Sequence, residues 1–180
     1  MTATRRQARE WAVQLLTSAE INPPEDRIEF KYAFWRQIRS LDPEDGGSGG
    51  EDVRGKLRTF AEERFDGVLD QLDDLDAKLS EHLDGWEMSR LGTVERSVLR
   101  LGAWELINTD IPTPVILNEA IDLANWYSTP KSRFLINSVL DKFARTLEPE
   151  RSERTAESAK KRSSAREAQK SSQMSAPSGK

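Results

Sequence analysis

The stretch 94-VERSVLRLGAWELI-107 decides the fold. Val94, Val98 and Leu101, with Leu99 and Leu106 beside them, recur at the three- and four-residue intervals of a helix, and the run stops before Asp110-Ile111-Pro112-Thr113-Pro114. The same spacing extends outward in both directions, and no strand-like alternation of useful length interrupts it, so the class expected is all-α.

Downstream, Thr113-Pro114 supplies a first-turn proline for a helix that buries Ile116, Leu117, Ala120, Ile121 and Ala124. Thr129-Pro130 repeats the device and opens a last helix on Ile136, Val139, Leu140, Phe143 and Leu147, with Pro149 as its expected end. Upstream, Leu57, Phe60, Phe65, Val68, Leu72, Leu75, Leu79 and Leu83 predict one long helix or two bent near Gly67, closed by Gly85-Trp86. Asp26 with Glu29 caps a second helix carrying Phe30, Phe34, Ile38 and Leu41, and residues 5–16 form the first, on Ala8, Trp11, Ala12 and Leu15. Pro23-Pro24 separates those two.

Residues 42–50, with Pro43 and the glycines around Ser48, read as part of an exposed loop spanning about 42–52. From Glu148 onward Ser, Ala, Lys, Arg, Glu and Gln dominate, a composition that buries too little to offset its ordering entropy. The expected organisation is a helical body over residues 1–148 and a disordered polar tail over 149–180 that carries Lys160, Lys161, Arg162 and Arg166.

The 180 residues suit one domain, and the net charge of −4 hides acidic residues crowded at Asp70, Asp73, Asp74 and Asp76 against basic residues at both ends. The absence of cysteine excludes disulfides, thiolate metal sites and cysteine nucleophiles, and fits a reducing, cytoplasmic setting. No apolar run approaches the roughly 20 residues that span a bilayer, so no membrane partner is expected.

Catalysis finds no foothold. His82, the single histidine, sits beside Glu81 and Leu83 as a helix-flank residue, and Asp73, Asp74 and Asp76 between leucines read as a solvated face. The glycines near Ser48 lack the lysine and preceding strand of a phosphate loop, and the acidic residues there lack calcium-loop spacing. No enzyme, cofactor or metal is expected. Trp11, Trp35, Trp86, Trp104 and Trp126 could stack on bases, but core packing is the reading favoured for each. Arg5, Arg6 and Arg9 stand at the start of a helix, where the macrodipole disfavours cations, so a phosphate-facing patch is a natural use for them.

Four ordered blocks resemble the NusB family. Arg5-Arg6-Gln7-Ala8-Arg9-Glu10-Trp11-Ala12-Val13-Gln14-Leu15-Leu16 is similar to its RR-x-ARE-x-A-x-Q-x-L first helix. Trp86 to Leu91, Val94-Glu95-Arg96 and Leu99-Arg100 through Trp104-Glu105-Leu106 resemble its W-x-x-x-RL, V-[DE]-R and LR-x-x-x-[YW]-EL run. Asp110-Ile111-Pro112 with Val115 to Ala124, and Asn137-Ser138-Val139-Leu140-Asp141-Lys142, resemble its D-[IV]-P, NEA-[IV]-[ED]-LA and FVNGVLDK blocks.

The resemblance implies about seven helices in two small packed bundles and a transcription antitermination factor. Such a factor binds boxA RNA of ribosomal RNA leaders with ribosomal protein NusE and, with other Nus factors, keeps the RNA polymerase elongation complex processive. Carried over by position, Arg5, Arg6 and Arg9 would contact RNA phosphates, with Gln7 and Gln14 beside them and Lys131, Ser132 and Arg133 extending the track. Arg96, Arg100, Asn118, Glu119 and Asn137 are expected to be structural, polar residues that cap or pair at helix contacts, with Arg100 and Glu119 a buried pair. Departures are Thr17, where the family often has an aromatic residue, and Leu135 and Ser138, where it has Phe and Gly. Alternatives are a helical protein-interaction scaffold without specific RNA binding, and an accessory module of the kind fused to ribosomal RNA cytosine methyltransferases. Oligomeric state stays open, a homodimer included.

Overall fold

The computed structural model of the protein describes residues 4–41, 50–127 and 129–174. Seven α-helices account for almost all of them: α1 (Arg5–Ile21), α2 (Arg27–Leu41), α3 (Gly50–Asp70), α4 (Leu72–Ser80), α5 (Thr93–Asn108), α6 (Thr113–Tyr127) and α7 (Pro130–Met174), with a single 3-10 turn at Met88–Arg90. No strand occurs among the described residues, in agreement with the all-α expectation.

α5 is the shared wall. It packs against α1 and α3 on one side, α6 and α7 on the other, and α4 along its flank. Val98, Leu99, Leu101, Ala103 and Leu106 are all buried, and Ser97, Arg100 and Glu105 are buried with them. α2 closes the first bundle through aromatic contacts: Trp35 meets Trp11 edge to face with centroids 5.3 Å apart, and Phe30 stacks on Phe65 at 5.7 Å. Two glycines let neighbours approach α5. A Cβ on Gly102 would lie 2.7 Å from Leu140 of α7, and one on Gly67 would lie 2.4 Å from the Trp104 ring. Gly67 is therefore a packing residue inside an unbroken α3, and the expected bend falls at Gln71 instead, between α3 and α4.

The helix starts follow the capping chemistry. Thr4 Oγ1 accepts from the Gln7 backbone N–H at 3.4 Å, and Asp26 Oδ1 accepts from Ile28 and Glu29 at 2.7 and 3.3 Å. The expected loop falls mostly on residues 42–49, which lie outside the described residues, while residues 50–52, assigned to it from sequence, already belong to α3.

The end of the body lies further on than expected. Pro149 sits inside α7 and does not close it, although proline in a helix interior costs about 3 kcal/mol. The reason is a set of contacts one turn later. Arg151, 8% exposed, donates to the carbonyl oxygens of Leu106, Thr109 and Ile111, and Arg154 donates to those of Ile107 and Leu106. The Leu106 and Ile107 carbonyls are among those that the last turn of α5 leaves without helical partners, and those of Thr109 and Ile111 belong to the connection that follows it. Packing contacts therefore reach at least Arg154, past the boundary expected at 148. Ending the chain after Glu148 is expected to lower stability by about 2 kcal/mol, the scale of a charge-assisted hydrogen-bond set, seen as a lower urea midpoint. Ending it after Arg154 should leave the midpoint where the full chain has it; equal midpoints for both truncations would contradict the clamp.

Candidate nucleic-acid interface

The helical register of α1 divides its arginines between core and surface. Ala8, Trp11, Ala12, Leu15 and Leu16 face inward, and Arg9 falls among them at 4% exposure. Its Nε donates to both oxygens of Glu105, at 3.1 and 3.0 Å, and Glu119 Oε2 lies 3.8 Å from its terminal nitrogen. Arg64 of α3 reaches the same Glu105 carboxylate at 2.6 Å, with its guanidinium 3.1 Å from the Phe60 ring centroid. Glu105 is 1% exposed. Burial pushes the Arg64 guanidinium below its ordinary value, against the opposing pull of Glu105. Arg9 is therefore corrected from a phosphate contact to a core residue: it could reach a phosphate only by leaving a buried carboxylate half-paired.

Arg5 and Arg6 stay at the surface. Arg5 makes no ion pair among the described residues. Arg6 pairs with Asp122 of α6 and lies 3.7 Å from Glu119. Gln7 and Gln14 are half-buried, and Gln14 lies beside the Tyr127 hydroxyl at the end of α6. Burial first, then the nearby Glu10 carboxylate, pushes that hydroxyl up from its ordinary value. Burial likewise raises the Glu10 carboxyl, with Arg6 opposing and Glu119 assisting. Lys131 and Arg133 are exposed in the first turn of α7, while the Ser132 hydroxyl donates to Glu95 at 2.7 Å.

The motif residues find other partners than expected. Arg100 does not meet Glu119. It makes a fork to Asp76 of α4, both distances 2.7 Å, and reaches Glu20 of α1 at 2.8 Å. Burial works against its charge, but the Asp76 hydrogen bonds, the Asp76 charge and Glu20 outweigh it and hold the guanidinium above its ordinary value. Asp76 consequently leaves the solvated acidic face, where Asp73 and Asp74 remain. Arg96 takes the other Glu20 oxygen at 2.6 Å and donates to the Met88 and Leu91 carbonyls. Asn118 and Asn137, read as capping or pairing groups, are exposed and make no such contact.

Thr17 bonds Ser97 of α5 at 3.1 Å, and Ser138 is exposed. His82 rests on Phe143 with centroids 5.7 Å apart. Trp11 and Trp35 are core residues, but Trp86 and Trp126 are 57% and 74% exposed, against the packing reading. Among the described residues no group of acidic, histidine or cysteine side chains could hold a metal, and no helix is long and apolar enough to cross a membrane.

Glu105, Asp122 and Tyr127 organise this region and escaped the sequence reading. Glu105 had a legible signal, a carboxylate in register with Val98 and Leu101 on an apolar stripe, which demands a buried cation.

Two helical bundles sharing α5, with exposed cations at the start of α1 and in the first turn of α7, define an all-helical class. The chain belongs to the NusB family, whose model matches residues 6–145. It is 36% identical to the transcription antitermination protein NusB of Nitratiruptor sp. over 81% of this chain and 94% of that one, and 33% identical to that of Helicobacter pylori over 81% and 95%. Among solved structures, a NusB from T. maritima superposes with a TM-score of 0.64 at 28% identity, covering 81% of this chain and 93% of that one. The fold is also that of antitermination factor NusB in a complex with NusE and double-stranded RNA, at a TM-score of 0.62 and 22% identity over 79% and 96%.

Replacing Glu105 by Gln is expected to destabilise the fold by about 3 to 5 kcal/mol, because two buried guanidinium groups lose their shared charge. Arg6→Ala, at a half-exposed surface pair, should cost under about 1 kcal/mol. Denaturant unfolding of the two variants checks this ordering, and comparable losses would contradict the assignment of core and surface.

Proposed function

We propose that this protein is a transcription antitermination factor that binds boxA RNA of ribosomal RNA leaders together with ribosomal protein NusE. In that role it would join RNA polymerase and other Nus factors in a processive elongation complex. The observation that carries the reading is family membership along nearly the whole length of relatives named transcription antitermination proteins. The exposed cations support it. Arg5, Arg6, Lys131 and Arg133 are the phosphate contacts of this reading, Gln14 a polar contact beside them, and Gln7 and Ser132 help shape the path. Phosphate contacts supply affinity, and unpaired bases supply specificity. The body that does this spans residues 4–154, and the polar tail adds cations of no fixed sequence preference.

A second reading, a protein-interaction scaffold without specific RNA binding, draws on the Arg6–Asp122 pair and on the burial of Arg9, which together leave α1 fewer available cations than its motif suggests.

Fluorescence anisotropy of a labelled boxA-type RNA and a scrambled one, at fixed near-physiological salt and with or without NusE, separates the two. The account expects a preference for boxA that NusE strengthens. Replacing Arg5, Arg6 and Arg133 together by Ala should weaken binding at least tenfold and reduce the slope of log affinity against log salt by about 2 to 3, roughly one for each lost phosphate contact. Equal, weak binding of both RNAs by both proteins would favour the scaffold.

A further inference from the structure

Three large aromatic side chains stand exposed around one helix-to-helix corner, and packing gives no account of them. Trp126 is 74% exposed, Tyr127 41% and Phe134 66%. Trp126 and Tyr127 end α6, and Phe134 lies in the second turn of α7, across the short connection at residues 128–129. Holding such surface in water opposes folding, so a concentrated patch of it marks a surface made for contact.

Its surroundings identify the occupant. Lys131 and Arg133 are exposed beside it, and the Arg133 guanidinium sits 4.8 Å from the centroid of the Phe134 ring. Asp122, one turn before Trp126 on α6, holds Arg6, and Tyr127 lies beside Gln14. The aromatic corner is thus continuous with the surface of α1. Glu119 and Asp122 are engaged with Arg6, and the exposed Lys131 and Arg133 form the positive rim of the patch. Exposed rings bordered by cations fit a single strand of RNA, whose unpaired bases stack while its phosphates meet the cations. A duplex stacks its bases on one another and has no face to offer.

We infer that Trp126 and Phe134 are stacking platforms for unpaired bases of the bound RNA. This rests on the RNA-binding reading and adds to it two residues that lie outside the arginine motif of α1. Stacking supplies affinity for unpaired nucleotides, and the cations alone would hold single and double strands alike.

The test uses the full chain, a short single-stranded boxA-type RNA and the same RNA annealed to its complement, each titrated over a salt series. Trp126→Ala and Phe134→Ala should each lower single-strand affinity about tenfold, the scale of one lost stacked base. The salt slope should stay unchanged because no phosphate contact is lost. Duplex affinity and thermal midpoint should not move, and Trp126→Phe should restore most of the loss. Wild-type affinity in both Ala variants, while Arg5→Ala still weakens binding, would overturn the platform and leave the RNA reading standing. Failure of the unaltered protein to bind RNA would overturn both. A loss confined to NusE affinity would make the corner a protein interface and also overturn the inference.

Discussion

One carboxylate sets the geometry of the first bundle. Glu105 faces inward because α5 is buried on nearly every side, and a lone charge at that depth would cost several kcal/mol. It is met by Arg9 from α1 and Arg64 from α3, two helices far apart in sequence. Breaking either contact leaves an uncompensated charge, so the three helices have one favourable register. That register decides which α1 side chains face outward. Arg9 is held in the core, Arg6 lies over α6, and Arg5 stays exposed at the first position of the helix.

A second network does the same work on the other flank of α5. Arg100 and Arg96 share Glu20 of α1, and Arg100 also takes Asp76 of α4 in a two-bonded fork. Such planar pairings fix orientation as well as distance. At the far end, Arg151 and Arg154 occupy the carbonyls that α5 leaves open. The central helix is therefore anchored along its length by charged groups around an apolar core. The surface that these anchors position, the outer side of α1 with the α6–α7 corner, presents the exposed Arg5, Trp126, Lys131 and Phe134.

Period and punctuation made the helices legible. The three- and four-residue spacing, the Asp26 cap and the Thr-Pro starts of α6 and α7 all act within a few residues, where sequence is enough. What sequence withheld was long-range. Arg9 and Arg5 are the same residue type one turn apart, yet one is buried by a partner 96 positions away. Arg100 chose Asp76 and Glu20 over Glu119 because helix packing, not motif membership, brought them together. Pro149 reads locally as a stop and is overridden by Arg151 and Arg154. Trp126 resembles Trp11 in composition and differs only in which way its helix is turned. The family resemblance supplied the class of function; the split between core and surface arginines needed the fold.

That split is tested most directly by nuclear magnetic resonance of the arginine Nε–Hε groups during titration with single-stranded boxA-type RNA. Each arginine gives its own signal, so core and surface groups report separately. The account predicts that the signals of Arg5, Arg6 and Arg133 shift with added RNA while those of Arg9 and Arg64 stay in place. Shifts of Arg9 as large as those of Arg5 would contradict it, because they would mean that the Glu105 clamp opens to release its arginine to the RNA.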